Sequence, residues 1–237
     1  MRGQVLASDH PKLMYFAERC ADMDTIAFRA RWRQHARLGM SMPRWRNIQR
    51  YAHCDAVTIP DSLFPSSSCD GVGIIWYRDE ARRLNHVTDR SAAPMMKQDE
   101  AEAFARPVRE VALLADEFTL QLHADAPRKL FLQIWRAPML ALTEFRSWWL
   151  TEAGPELWQR LVKVKTVQGY IQNHARLTHS ENTPSPVCDC VDEIACEDVV
   201  VCESVLSQAL NDLHGYRDHV RACKAIWTTE TVLHDAR

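Results

Sequence analysis

The sequence predicts an α+β protein built from two tandem β-α-β-β-α-β units, which span roughly residues 10–122 and 127–234. Three observations predict this class. Strand-like and helical segments recur in the same order in both halves, aromatic landmarks repeat at matching places, and 46% hydrophobic residues in a chain of 237 suffice for a sizeable core. We therefore predict two domains, residues 1–126 and 127–237.

The first strand and the first helix follow one pattern in both units. Residues 12–16 and 129–135 are apolar, β-prone runs that both begin with Lys-Leu. The helix after each run carries a Phe and a Trp four residues apart: Phe28 and Trp32 in one unit, Phe145 and Trp149 in the other. Residues i and i+4 share one face of a helix, so each pair is predicted to pack on a sheet.

Two further strands are predicted in the middle of each unit. Residues 48–51 and 167–174 give the second strand, with Tyr51 and Tyr170 in matching positions. Polar loops rich in Ser and Pro follow at 65–68 and 183–186. They lead into third strands that begin Cys69-Asp70-Gly71-Val72 and Cys188-Asp189-Cys190-Val191. In residues 70–77 both alternate sets of side chains are largely apolar, which predicts that both faces of the sheet are covered.

Each unit is predicted to end with a helix and a strand. The helical regions are 80–102 and 203–224, the closing strands are 113–122 and 226–233, and a short polar link covers 123–127. This order of elements gives a four-stranded antiparallel sheet with both helices on one face. We expect the open faces of the two sheets to meet in a barrel-like core around a shared hydrophobic pocket.

The repeated motifs resemble the EthD family, named for ethyl tert-butyl ether degradation, within the dimeric α+β barrel superfamily. The family pattern has Phe-x-x-x-Trp-x-x-x-His on the first helix, Tyr-Val-Gln-Asn-His on the second strand and Asp-Gly-Val-x-Glu-x-Trp on the third. The residues that fit are Phe28, Trp32, Asp70, Gly71, Val72 and Trp76 in the first unit, and Phe145, Trp149, Tyr170, Gln172, Asn173, His174, Asp189, Val191 and Glu193 in the second.

Three positions depart from that pattern. His35 lies one residue early on its helix, Ala153 stands where the second unit should have the same His, and Ile74 replaces the Glu matched by Glu193. The resemblance implies two tandem ferredoxin-like repeats that form an intramolecular dimeric α+β barrel. It leaves the function open, because that superfamily includes cyclases, decarboxylases, monooxygenases and haem proteins.

Glu193 and His174 are the first candidate catalytic residues. Strand alternation puts Asp189, Val191, Glu193 and Ala195 on one face, and the resemblance implies that this face lines the pocket. Burial in an apolar pocket would raise the pKa of Glu193 towards neutrality, and His174 on the adjoining strand would complete an acid/base pair. The alternative is a buried structural hydrogen bond between the two strands.

Other residues are weaker candidates for the site. His35 is a third candidate catalytic residue, although Arg33 and Arg37 beside it favour a solvated helix-end histidine. Candidate substrate-binding residues are Tyr51, Tyr170, Asn173, Asp189, Trp76 and Trp149. For the aromatic members, packing is the alternative role.

Charge and composition exclude several classes of function. A net charge of −2 gives no reason to expect binding to nucleic acid or to an anionic membrane, and no apolar run approaches the roughly 20 residues of a membrane span. We expect a cytoplasmic protein. Cys188, Cys190, Cys196 and Cys202 are expected to pack as small apolar residues rather than to bind zinc, because the gap between the first two is too short for a zinc-binding turn.

These patterns favour a cofactor-free lyase or cyclase-like enzyme that acts by acid/base chemistry on a hydrophobic aromatic or polyketide-like small molecule. Neither a phosphate-binding glycine loop nor a His-Glu-x-x-His motif occurs in the sequence. Two alternatives stay open. One is a non-catalytic binding protein for a hydrophobic catabolite, and the other is a haem- or oxygen-using monooxygenase-like protein with His174 or His35 as axial ligand. Whether two chains form a homodimer is also left open.

Overall fold

The computed structural model describes residues 5–91, 93–121, 126–177 and 186–237. Its strands are β1 (Leu6–Ala7), β2 (Lys12–Ala17), β3 (Ile48–Ala56), β4 (Gly71–Tyr77), β5 (Ala112–Gln121), β6 (Arg128–Arg136), β7 (Val167–Ala175), β8 (Cys190–Cys196) and β9 (Val220–Asp235). Its α-helices are α1 (Thr25–Ser41), α2 (Glu80–Thr88), α3 (Ala93–Ala103), α4 (Leu142–Trp148), α5 (Gly154–Leu161), α6 (Val199–Asn211) and α7 (Tyr216–His219). A π-helical turn, Trp149–Ala153, joins α4 to α5.

Eight antiparallel strands close into a barrel. Their order is β5-β2-β4-β3-β9-β6-β8-β7, and pairing of β5 with β7 completes the ring. The short strand β1 pairs with β5 outside this ring. The first half of the chain contributes β5-β2-β4-β3 and the second half contributes β9-β6-β8-β7, so the halves join at β3–β9 and β5–β7. The predicted α+β barrel is confirmed.

Helices cover the outside of the barrel in two layers. Phe28 and Trp32 of α1 stack with ring centroids 5.5 Å apart and are buried against the outer faces of β2, β3 and β4. Phe145 and Trp149 stack at 6.0 Å in the same manner against β6, β7 and β8. The predicted i, i+4 pairs are therefore confirmed as packing residues of both layers.

The inside of the barrel combines apolar and charged side chains. Met14, Phe16, Phe131, Val191 and Ile226 belong to one buried cluster to which both halves contribute. Charged residues from six strands lie beside it in a chain of ion pairs: Glu117 with Lys12, Lys12 with Glu193, Glu193 with Lys129, Lys129 with Glu230, and Glu230 with Arg50. The interior is therefore occupied by side chains, and in part by charged ones, where the sequence predicts a hydrophobic pocket.

Several predicted element bounds are wrong for local reasons. The second strand does not end at residue 51 but continues to Ala56. The helix predicted over 80–102 breaks after Thr88, because Asp89 Oδ1 accepts hydrogen bonds from the backbone and hydroxyl of Ser91 and so closes a turn. The helix predicted over 203–224 begins at Val199, where Asp198 caps it, and residues 220–224 lie in β9.

Two predicted segments fall partly outside the described residues. Of the link at 123–127, only residues 126 and 127 are described. Of the polar loop at 183–186, only residue 186 is described. Leu122, at the end of a predicted strand, also lies outside the described residues. Among the described helices, none is long and apolar enough to span a membrane.

Candidate active site

A cavity of about 1210 Å³ lies outside the barrel, between its first-half sheet and the helices α1, α2 and α3. The sheet contributes Tyr15 and Tyr51 to its wall, and the helical side contributes His35, Glu100 and Phe104. A cleft of this size is large enough for a drug-sized ligand with several rings. Polar, titratable groups converge on this open space.

His35 forms a histidine–carboxylate pair at the edge of this cavity. Its Nδ1 lies 2.6 Å from Oδ2 of Asp99 on α3, and Asp99 is itself held by Arg31 at 2.6 Å. The hydrogen bond orients the ring and leaves Nε2 as the atom that can exchange a proton, since no described residue bonds to it. Burial lowers the pKa of His35 while Asp99 opposes the shift, so the ring is neutral near pH 7.

A buried group of four side chains lies at the opposite wall, and two of them, Tyr15 and Tyr51, line the cavity. The Tyr15 and Tyr51 hydroxyls are 2.7 Å apart, and His53 Nε2 lies 2.5 Å from the Tyr51 hydroxyl. Trp32 donates its indole N–H to the Tyr15 hydroxyl at 3.0 Å and stacks on the His53 ring at 3.8 Å. Burial raises the pKa of Tyr15 to about 12 and that of Tyr51 well above its usual value, so both phenols stay protonated.

Two glycines of β4 create the space that this group occupies. Tyr15 and His53 flank Gly73 on the neighbouring strands, and a Cβ placed on Gly73 would lie 2.1 Å from the Tyr15 ring. A Cβ on Gly71 would lie 2.5 Å from the Trp32 ring. Such glycines let large side chains lie flat on the sheet.

We expect Gly73→Ala to destabilise the protein by about 1–3 kcal/mol, because the added methyl forces Tyr15 off the sheet. Urea unfolding measures this loss. Gly39→Ala is the matched control: its Cβ would meet no atom closer than 3.6 Å, and Ala is favoured in a helix, so stability should stay equal or rise. Equal stability of the two variants would contradict the packing described for Tyr15.

Glu193 does not have the environment that the sequence predicts. It faces the barrel interior, as predicted, but it pairs with Lys12 and lies 3.8 Å from Lys129, while Asn173 donates to it at 3.0 Å. Burial raises its pKa, but the charges of the two lysines outweigh burial and hold the pKa below its usual value. Glu193 is therefore a stably ionised carboxylate and not a proton donor near pH 7.

His174 is not the partner of Glu193. On β7 it pairs in register with Cys190 and points to the outer face, whereas Glu193 points inward. Its Nε2 lies 3.2 Å from the Gln172 side-chain oxygen, and its ring packs edge-on against Phe118. Burial lowers its pKa to about 3, which keeps it neutral at all physiological pH values. The predicted acid/base pair is therefore wrong.

The other predicted site residues lie in three different places. Tyr51 lines the cavity. Trp76 and Asn173 belong to the barrel interior, where they donate hydrogen bonds to Glu117 and Glu193. Trp149 and Tyr170 are buried in the second helix layer and both bond to Asp192. Asp189 pairs with Arg136 and accepts a hydrogen bond from its backbone N–H.

Sequence reasoning missed Tyr15, His53 and Asp99 as members of the site. His53 was missed because the second strand was predicted to end too early, and Asp99 lies 64 positions from its partner His35. A usable signal was present for Tyr15. Glycines two residues apart in one strand, as at Gly71 and Gly73, indicate that bulky groups approach one face of the sheet.

The cysteines and His174 are not placed as ligands of a metal or haem in the described part of the chain. Cys188, Cys190, Cys196 and Cys202 are free and buried in the cores, which confirms their packing role. In the described part of the chain, no three His, Cys, Asp or Glu side chains are grouped as metal ligands. His174 does not fit a haem iron, because it is enclosed by Gln172 and Phe118, whereas Nε2 of His35 borders open space.

Comparisons with known proteins agree with this architecture. The closed eight-stranded α+β barrel is similar to that of dimeric α+β barrel proteins. Residues 21–107 match the model of the EthD domain, and they include α1 and α3 with His35 and Asp99. Comparison with curated protein sequences gives no match.

Two solved structures resemble the whole chain. An anthrone oxidase-like protein superposes with a TM-score of 0.66 at 7% identity, over 99% of this chain and 100% of its own. A mutant chlorite dismutase from Candidatus Nitrospira defluvii superposes with a TM-score of 0.54 at 11% identity, over 94% of this chain and 92% of its own. At such identities the likeness establishes the fold alone.

Proposed function

We propose that this protein is a small-molecule enzyme that transfers a proton to or from a hydrophobic aromatic compound, in a lyase or cyclase-like reaction. The observation that carries the proposal is the His35–Asp99 pair at the edge of a cavity whose opposite wall holds the Tyr15 and Tyr51 hydroxyls. A base and hydroxyl donors on opposite walls can act on two sites of one ligand.

His35 acts as the base in this proposal. Asp99 accepts the Nδ1 hydrogen and fixes the tautomer, so Nε2 carries the free electron pair towards the ligand. The same carboxylate stabilises the imidazolium that forms when the proton arrives, and Arg31 keeps that carboxylate in place. The proton transfer itself requires no metal and no nucleotide.

The cavity wall favours a flat apolar ligand. Phe104 packs edge-on to both His35 and Tyr15, at 5.1 Å and 6.2 Å between ring centroids, and Trp45 packs against Tyr51 at 5.2 Å. Aromatic side chains in these orientations offer ring edges and faces to a polycyclic ligand. An anthrone, which carries an acidic C–H between two rings, is a suitable test compound, and one structural neighbour is an anthrone oxidase-like protein.

We expect the protein to catalyse exchange of the acidic hydrogens of anthrone with deuterium from solvent, and His35→Ala to slow that exchange by about 100-fold or more. Mass spectrometry measures the exchange without any assumption about later steps. His214→Ala, at an exposed histidine of the second half, should keep the full rate. The rate should fall as pH decreases through the His35 pKa, which lies below 6.5.

Three results would contradict the proposal. Exchange no faster than in buffer, with tight binding of anthrone, favours a binding protein. Exchange that survives His35→Ala excludes this base. A Soret band that appears with haemin and is lost in His35→Ala favours the haem alternative, with His35 as the ligand.

We also propose that residues 1–126 and 127–237 are tandem ferredoxin-like copies. The support is that each half has its four strands in the same order and its own helix layer. The first copy would then be the catalytic one, because the described cavity with the histidine–carboxylate pair lies there. Backbone superposition of the halves in a crystal structure tests this, and helices crossing the two sheets in different directions would contradict it.

A further inference from the structure

The two tyrosine hydroxyls of the cavity wall form a hydrogen-bonded group with Trp32 and His53. Tyr15 and Tyr51 bond to each other, Trp32 donates to Tyr15, and His53 Nε2 contacts both hydroxyls, at 2.5 Å and 3.5 Å. Whether this group offers a hydrogen or a lone pair to a ligand depends on the tautomer of His53.

Arg33 fixes that tautomer. Its guanidinium contacts Nδ1 of His53 and also forms an ion pair with Asp55. A guanidinium can only donate, so Nδ1 must be the accepting nitrogen. Burial, followed by the charge of Arg33, holds the pKa of His53 well below its usual value, and the ring is neutral. The single ring hydrogen therefore lies on Nε2 and points to the Tyr51 hydroxyl.

One hydrogen of this group is then left without an acceptor. The phenol oxygens accept from His53, from Trp32 and from one phenol, but two hydroxyls cannot both donate to each other. One phenol donates to the other, and the hydrogen of the remaining phenol has no acceptor among the described side chains. Both tyrosines line the cavity, so a ligand atom there would supply the missing acceptor.

The charges around the cavity favour an anion. Its lining has six Lys or Arg side chains and two Glu: Arg44, Arg83, Arg90, Lys97, Arg106 and Arg109, with Glu100 and Glu110. Arg83 and Arg106 have ion-pair partners elsewhere in the chain. The other four cations form no ion pair with the described residues, so their positive potential acts on the cavity.

We infer that the cavity binds its aromatic ligand as an oxyanion, a phenolate or enolate, whose oxygen accepts the spare hydrogen of the Tyr15–Tyr51 pair. This inference rests on the proposed function for the place of the ligand and adds the ligand's ionisation state. Preorganised donors that meet a developing negative charge also lower the barrier for its formation, so the tyrosines would assist the proton transfer to His35.

The charged groups around Tyr15 and Tyr51 determine whether an anionic or a neutral ligand is favoured. The four unpaired cations at the cavity favour the anion, and Glu100 and Glu110 oppose it. Arg33 behind His53 is offset by its partner Asp55. His35 is neutral and its partner Asp99 is offset by Arg31. The net effect favours the anionic ligand.

Binding of p-nitrophenol tests the inference, because the phenolate and the neutral phenol absorb at different wavelengths. We expect the bound probe to have a pKa at least about one unit below that of the free probe, which corresponds to a tenfold preference for the anion. Tyr15→Phe and Tyr51→Phe should each remove most of the shift. Tyr216→Phe, in the second half, should leave it unchanged, and circular dichroism confirms that each variant folds.

The outcomes separate this inference from the proposed function. A probe that binds as the neutral phenol, or a shift that survives both tyrosine variants, overturns the inference. Either of these results leaves the proposed function intact if His35→Ala still abolishes the exchange of anthrone hydrogens. Conversely, His35→Ala should keep the probe's pKa shift, because that histidine does not hold the oxyanion. A protein that neither binds the probe nor exchanges anthrone contradicts both.

Discussion

Replacing Lys12 with Met is expected to cost about 3–5 kcal/mol of unfolding free energy, because it leaves charged carboxylates in the barrel without their main partner. Lys12 is fully buried and lies between Glu117, at 2.7 Å, and Glu193. Burial lowers its pKa, but the two carboxylates outweigh burial and the ammonium stays charged. Glu193 would keep only Lys129, at 3.8 Å, and Asn173 as close partners.

Urea unfolding of single and double variants measures this effect. The double variant Lys12→Met, Glu193→Gln removes both charges and should recover a large part of the stability lost in the single variant. A loss below about 1 kcal/mol in Lys12→Met would contradict the prediction, since that is the size expected for a surface ion pair. The network spans both halves, so such a result would also mean that it contributes little to barrel closure.

The fold could be predicted because its determinants are local. The Phe28–Trp32 spacing and the alternation in β8 follow from helix and strand geometry alone, and both are confirmed. The turn at Asp89 and the start of α6 at Asp198 depend on single side-chain hydrogen bonds, which the hydrophobic pattern does not contain. Bounds were therefore less accurate than the order of the elements.

The site was harder to predict because its partners are distant in sequence. Lys12 and Glu193 are 181 positions apart, so the ion pair that lowers the pKa of Glu193 is invisible to strand alternation. Alternation put Glu193 on one face with Val191, and the family resemblance implied that this face is the inner one, but neither could tell whether the neighbours inside are apolar or cationic. For His174 the error was simpler. It and Glu193 were assigned to one pocket although neighbouring-strand register puts them on opposite faces.

One row of residues across each sheet explains why the two halves hold different polar groups beneath their helix layers. In the first half the row is Tyr15, Gly73 and His53, and the glycine leaves room for two polar rings. In the second half the row is Leu132, Asp192 and Gln172. There Asp192 accepts hydrogen bonds from Trp149 and Tyr170 and is fully buried in the helix layer.

Asp192 should make the stability of the protein pH-dependent by about 4 kcal/mol. Burial raises its pKa from 3.8 to about 7, so the native state holds a proton that the unfolded chain releases. Stability from this group is fully present below pH 4, decreases as pH rises from about 4 to about 7, and is lost above. Three pKa units at about 1.4 kcal/mol each give the magnitude.

The difference in unfolding free energy between wild type and Asp192→Asn isolates this group, because the other titrations cancel. Asn mimics the protonated acid. Between pH 4 and pH 8, the unfolding free energy of the variant should therefore rise by up to about 4 kcal/mol relative to that of the wild type. Tyr170→Phe removes a hydrogen bond that lowers the Asp192 pKa. The pH range over which stability decreases should therefore extend to higher pH in this variant. Parallel curves for wild type and Asp192→Asn would mean that Asp192 is ionised throughout, and that Trp149 and Tyr170 hold a buried carboxylate rather than a carboxylic acid.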